Sequence, residues 1–280
     1  MKKILLSSYI IFVAIALNAQ VATDSVLRSK KGIPILPQKG DWAIGIDALP
    51  YLNYLGNIFN NSNNNSLHLG SQTLYGRYFI SNDAAIRVLI SIDQSSDLHS
   101  YYVRDDAAYV ADPLSNTKTT DTYKSNYTAY TLDLGYQKFR GYGRLKGFYG
   151  AHVGFGYDKT HEYYTYGNPI TVANSSPTTY WGNQSSRTLE YVYGAEKTVN
   201  LGGIAGVEYY FLPKVCIGGE ITLSFSYSWR SQSYDKYEKL NNTVVQQYEE
   251  ANTPAGRTNT SLFTERPANY GGSLYVMFHF

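Results

Sequence analysis

The sequence predicts an all-β protein, an eight-stranded antiparallel up-and-down transmembrane β-barrel. Three observations predict it. From Asp41 onward apolar residues recur with period two in eight separate segments, and stripes of period 3.6 do not appear. Short and long connections alternate along the chain with every short one on the same side, as in barrels with tight turns at one membrane face and long loops at the other. Aromatic residues gather toward the segment ends (Trp42, Tyr136, Tyr209, Trp229), where the two interfaces of a bilayer would lie.

Met1 to Ala19 has the parts of a secretory signal. Lys2 and Lys3 are the positive start, Ile10 to Leu17 the short apolar run, and Ala19 the small residue at the cut. The run is too short to stop in a membrane. No cysteine follows the cut, which points away from a lipid anchor. Residues 20–40 lack strand alternation and are expected to form a periplasmic N-terminal extension. Ile33-Pro34-Ile35-Leu36-Pro37 favours an extended or polyproline-like path. That stretch reads as a tether or as a short linear segment gripped by a partner.

Residues 41–280 are the expected barrel. Trp42, Ile44, Ile46 and Ala48 share one face of the first segment; Leu74, Tyr78 and Ile80 share one in the second. Ile86, Val88, Ile90 and Ile92 mark the third, and Tyr130, Leu132, Leu134 and Tyr136 the fourth. The fifth carries Tyr149, Ala151, Val153, Phe155 and Tyr157; the sixth Leu201, Gly203, Ala205, Val207 and Tyr209. Ile217 to Trp229 alternate in the seventh, and Leu274, Val276, Phe278 and Phe280 in the eighth. The other face is rich in Gly, Ser and Thr with a few charges, which suits the tight interior of a small barrel. Short links join segments 2–3, 4–5 and 6–7. Long stretches rich in Asn, Ser, Thr and Tyr join 1–2, 3–4, 5–6 and 7–8, and the third to eighth strands are expected to continue past the membrane on the outside.

The last segment, Leu274-Tyr275-Val276-Met277-Phe278-His279-Phe280, ends on an outward aromatic. Here the sequence resembles the small outer-membrane barrels of the OmpA/OmpX type, whose assembly machinery reads a terminal strand ending in Phe. The resemblance implies a role for Tyr275, Phe278 and Phe280 as the assembly signal, and implies fold and location but no activity. It covers Asp41 to Phe280, with no peptidoglycan-binding domain following. A Gram-negative cell outer membrane is then the expected location, with both termini periplasmic and the long loops extracellular. The expected contacts are outer-membrane lipid and lipopolysaccharide, the barrel-assembly machinery during insertion, and another outer-membrane or periplasmic protein.

Composition narrows the function. The formal charge of +2 over 280 residues comes from Lys2 and Lys3, so the chain without its leader is neutral, which argues against a nucleic-acid binder. Cys216 is the single cysteine, so neither an internal disulfide nor a Cys-based zinc cluster is available. No phosphate-loop or dinucleotide fingerprint is present, and His161-Glu162 lacks the second histidine of a zinc protease. No cofactor is expected. His68, His99 and His161 fall near the outer ends, but strand parity turns His68 and His161 outward and His99 inward, so they do not converge.

The inward charges are better organised. Counting back from the turn near Asn82 sets Arg77 opposite Arg87, and like charges paired across strands repel. Asp47, Asp133, Glu208 and Glu220 fall at similar heights and can reach the arginines, forming either a structural plug or a gate. On segments 5 to 7 the outward residues Ala151, Gly203, Ala205 and Gly219 make a strip of small side chains. Such a strip allows close approach of another membrane element, with Ile33, Pro34, Ile35, Leu36 and Pro37 as a second contact below. The loop tyrosines fit either a recognition surface or cross-strand stabilisation of long hairpins. The leading expectation is a non-enzymatic closed barrel acting as accessory subunit or surface-interaction protein. A narrow channel for small solutes and an outer-membrane hydrolase or acyltransferase are the alternatives.

Overall fold

The computed structural model describes residues 26–48, 51–52, 72–252, 256–261 and 273–280, with residues 72 and 256–261 described as backbone only. Among the described residues twelve strands form one antiparallel sheet: β1 (Trp42–Asp47), β2 (Gln72–Ser81), β3 (Ala84–Arg104), β4 (Lys118–Arg140), β5 (Leu145–Thr165), β6 (Ser186–Val192), β7 (Glu196–Leu212), β8 (Val215–Arg230), β9 (Tyr234–Asn241), β10 (Val244–Ala251), β11 (Gly256–Ser261) and β12 (Ser273–His279). Among the described residues a short helix, α1 (Asp106–Ala111), caps the β3–β4 connection.

Eight of these strands close a ring in the order β1-β2-β3-β4-β5-β7-β8-β12, and β12 pairs back onto β1 from Ala43↔His279 to Asp47↔Tyr275. The remaining four continue ring strands upward. Above Asp158↔Glu196, β5 changes partner to β6, as in His161↔Val192. β9 extends the path of β8, while β10 and β11 lie on the path that β12 completes, pairing with β9 and β8. The chain is therefore an eight-stranded antiparallel up-and-down barrel whose later strands run well past the ring.

Period-two alternation builds the ring because one face of every strand is packed and the other is not. β1 shows it plainly: Ala43 and Gly45 are buried while Trp42, Ile44 and Ile46 are exposed. The exposed face is apolar all round, through Leu132 and Leu134 on β4, Val153 and Phe155 on β5, Leu201 and Val207 on β7, and Ile221 and Phe225 on β8. Aromatics bound this belt. Trp42 stacks beside Tyr78 near the turns, with Tyr149 and Tyr209 at that level, while Tyr130 with Tyr157 and Tyr227 with Trp229 mark the other edge. Tyr149 to Tyr157 spans about 26 Å along the strand at about 3.3 Å per residue, which at a tilt of about 40° is about 20 Å of height, most of a lipid-facing band about 25 Å tall.

Tight turns at Asn82-Asp83, at residues 141–144 and at Pro213-Lys214 lie at the same end as Asp41 and Phe280. The segment before β1 corrects the sequence reading. It is neither extended nor free: Ile35 N donates to Leu27 O (2.8 Å) and Ser29 N to Ile33 O (2.8 Å), a small hairpin that reverses at Gly32 with φ of +78°. This hairpin folds back against the turn end. The long connections are ordered in part, since they hold α1, β6, β9 and β10.

Candidate functional site

The lumen is the first candidate site. Inside the turn-end half, Phe79, Phe139, Phe148, Tyr210, Tyr275 and Met277 pack as one buried cluster, and Ile35 enters it at 2% exposure. Backbone bonds fix that entry. Lys214 N donates to Ile35 O at 2.9 Å, Gly40 N to Phe79 O at 2.8 Å, and Lys39 N to Asn82 Oδ1 at 2.9 Å. The N-terminal hairpin is thus a stopper tied to two of the three turns. Of the proposed second contact, Ile35 and Pro37 are buried here, Pro34 and Leu36 half-buried, and only Ile33 is exposed. The central residue of that segment, Ile35, is packed inside this barrel.

Directly above the stopper lies the charge network. Arg77 and Arg87 face each other in register on β2 and β3. Arg77 Nη1 donates to Glu208 Oε1 at 2.7 Å, and Arg87 grips Glu220 with both Nη atoms, at 2.7 and 2.9 Å. All four side chains are buried. Tyr275 and Tyr210 donate their hydroxyls to the two oxygens of Glu208, at 2.7 and 2.9 Å. The Arg77 guanidinium also lies 5.1 Å from the Phe139 ring centroid. Carboxylates from β7 and β8 therefore cross the lumen to offset the repulsion that β2 and β3 create. Glycines make room for this: a Cβ at Gly135 would fall 2.9 Å from Arg87 Cγ, and one at Gly218 within 2.7 Å of two ring carbons and the hydroxyl of Tyr275.

Asp133 takes a different partner from the arginines the sequence suggested. Its Oδ2 meets His152 Nδ1 at 2.5 Å, both residues being buried. Asp47 sits opposite Tyr275 in the β1–β12 register. His152, Tyr210 and the lumen role of Tyr275 were missed from sequence, although strand parity puts all three inward. Tyr275 is fully buried, whereas Phe278 and Phe280 are exposed on the outward face.

The far end is the second candidate. There the β5–β6 connection folds over the inward face of β3, β4 and β5. Trp181 makes edge contacts with Tyr101, Tyr164, Tyr166 and Tyr180, and Tyr180 stacks on Tyr101 at 3.7 Å. Buried polar residues hold this lid down. Asp121, with no exposure, accepts from Gly167 N and Tyr180 N, both at 2.8 Å. Asp106 accepts from Thr178 N at 2.7 Å and Asn174 Nδ2 at 2.9 Å, and pairs with Arg104. Burial raises the Asp106 pKa, but the bonds from Thr178, Asn174 and Arg104 outweigh it and hold the carboxyl below the ordinary Asp range. Glu162 accepts three phenols, from Tyr123, Tyr164 and Tyr193. Burial and that carboxylate push the Tyr193 hydroxyl up to about 12, so it stays a donor.

The remaining residues singled out from sequence do not gather into a reactive set. His161 bonds Tyr163 and Glu190, His99 stacks between Tyr101 and Tyr123, and His68 lies outside the described residues. Among the described residues no group of three or more His, Cys, Asp or Glu could hold a metal ion. The strip of small residues is contiguous on the outward face, with Ala151 opposite Gly203 on β5 and β7 and Ala205 two residues on. Gly219 stands opposite Val207 on β8.

No protein-family model and no curated protein sequence matches the chain. Among solved structures it is similar to Ail, the attachment invasion locus protein of Yersinia pestis, at 9% identity over 86% of this chain and 99% of that one, with a TM-score of 0.28. It is likewise similar to the outer membrane protein OprG from Pseudomonas aeruginosa, at 8% identity over 88% of this chain and 98% of that one, with a TM-score of 0.28. Identities this low assign neither activity nor partner.

Proposed function

We propose that the chain is a closed, non-enzymatic outer-membrane barrel that works through its surfaces, with the turn end periplasmic and the far end extracellular. The apolar belt supports the membrane placement, because a closed ring satisfies its backbone internally and can turn such a face to lipid. One observation carries the functional reading: Ile35 and the pairs Arg77–Glu208 and Arg87–Glu220 fill the same half of the lumen. A solute would have to displace a packed apolar residue and separate two buried ion pairs. The ordered structure lies elsewhere, in strands that outrun the belt and in the tyrosine-rich lid. As an accessory subunit, the barrel would meet its partner through the outward strip of Ala151, Gly203, Ala205 and Gly219.

Single-channel recording in planar bilayers tests this. The full chain should give no discrete conductance steps over the voltage range that leaves the bilayer intact. Steady steps abolished by substitution of lumen residues would move the assignment to a narrow channel.

A further inference from the structure

The near-neutral charge of the chain conceals a separation along the barrel axis. At the turn end, residues 26–41, 82–83, 138–146 and 213–214 hold nine cations and two carboxylates. Both carboxylates are already engaged. Asp83 pairs with Lys138 and Arg140, and Asp41 with Lys214. Arg28, Lys30, Lys31, Lys39, Arg144 and Lys146 then face no carboxylate within 4.0 Å among the described residues. The far end has the opposite balance: residues 93–128, 158–197 and 230–251 hold fourteen carboxylates and nine cations.

The turn-end cations are exposed or half-buried. Arg28, Lys30 and Lys31 are exposed on the stopper hairpin and Lys39 just after it, alongside the exposed apolar side chains of Leu27 and Ile33. Arg144 spends one Nη on the carbonyls of Tyr210 and Phe211, at 3.0 and 2.9 Å, which leaves its other donors uncommitted. Around it Tyr142, Leu145 and Leu212 are all more than half exposed, at the edge of the apolar belt. Apolar stems in the boundary and charged heads beyond it are how basic side chains reach lipid headgroups.

We infer that the turn end is a docking surface for the phosphodiester headgroups of anionic phospholipids in the leaflet from which it emerges. The inference rests on the membrane placement proposed above. Guanidinium and ammonium groups both bond phosphate oxygens, and a leaflet of anionic lipid concentrates those oxygens at the height of this rim. The stopper hairpin carries three of the cations, so lipid binding and closure of the lumen share one element: headgroups bound to Arg28, Lys30 and Lys31 hold Ile35 in its seat.

The test uses the full chain in nanodiscs, which leave both barrel ends accessible. Spin-labelled phosphatidylglycerol and spin-labelled phosphatidylcholine are compared for the fraction immobilised by the protein. The wild type should favour phosphatidylglycerol by at least about five-fold, the effect of one basic residue near an anionic surface, and lose the preference at about 0.5 M salt, where screening acts within a few ångströms. The variant carrying Arg28→Gln, Lys30→Gln, Lys31→Gln and Lys39→Gln should lose most of it. Equal immobilisation of both lipids by the wild type, or an unchanged preference in the variant, overturns the inference. Polyglutamate added to phosphatidylcholine nanodiscs is the third arm. Binding that depends on the same four residues, with no lipid preference, would give the surface to an anionic polymer and likewise overturn the lipid assignment. Heat-modifiable migration and β-sheet circular dichroism in both discs report insertion separately. A chain that fails to insert contradicts the membrane placement, whereas one that inserts without preference contradicts only the lipid inference.

Discussion

The two ends of the barrel are built from opposite materials. At the turn end, apolar side chains and paired charges fill the lumen, and the groups that hold them are far apart in sequence: Arg77 with Glu208, Arg87 with Glu220, Ile35 with Lys214. At the far end, order comes from buried polar side chains bonding the backbone of the lid, as Asp106 and Asp121 do with Thr178, Gly167 and Tyr180. The difference teaches where each end is vulnerable. Removing one member of a buried ion pair strands the other in a low-dielectric interior. Removing a lid anchor loosens a surface element whose other groups can turn to water.

The largest effect expected is therefore at the turn end. Arg87→Ala leaves Glu220 buried without its bidentate partner and should destabilise the barrel by about 3–5 kcal/mol, measured by urea unfolding in lipid vesicles. An unchanged midpoint would mean that water reaches Glu220 and that the lumen is not packed there.

Ile35→Ala should act locally. Truncating a buried isoleucine typically costs about 2–5 kcal/mol, but here the loss falls on the seating of the stopper. Hydrogen exchange at the amides of Ile35 and Lys214 should rise, while the strand amides of β3 to β5 keep their protection. Equal loss of protection in the ring would show that the stopper is part of the barrel's folding unit.

Much of this was legible in the sequence, for a physical reason. Period two fixes which side chains face the lumen, so Arg77, Arg87, Glu208 and Glu220 could be placed together before any pairing was known. Period two does not reveal which carboxylate crosses to which arginine, because that depends on how far the strands slip around the ring. Hence Asp133 was grouped with the arginines, while its partner is His152 on the neighbouring strand. The stopper left no periodic trace, since a hairpin folded on itself needs neither alternation nor a stripe. β9 and β10 were hidden for a related reason. With water on both faces, Tyr234–Asn241 and Val244–Ala251 have no apolar side to repeat. The axial charge separation also escaped, because a net charge carries no position.

At the far end a smaller, pH-dependent effect follows from Asp106. Its folded pKa lies below the unfolded value, so its contribution to the lid is present above the ordinary Asp pKa of about 4 and is lost as pH falls through the folded value. With Trp42 and Trp229 replaced by Phe, Trp181 emission should shift on acidification below about pH 4. Asp106→Asn should show a looser lid at neutral pH and a weaker acid transition. The same transition in both chains would assign it to another group.

Cys216 offers the most direct measurement of closure. It is the only cysteine, it belongs to the cluster that Ile35 enters, and it has no exposure. A small, charged, membrane-impermeant thiol reagent should leave it unmodified in the folded barrel from either side, and modify it fully once the chain is unfolded. Ile35→Asp, which unseats the stopper, should restore reaction from the turn end only. Rapid modification of Cys216 in the folded wild type would contradict a closed lumen.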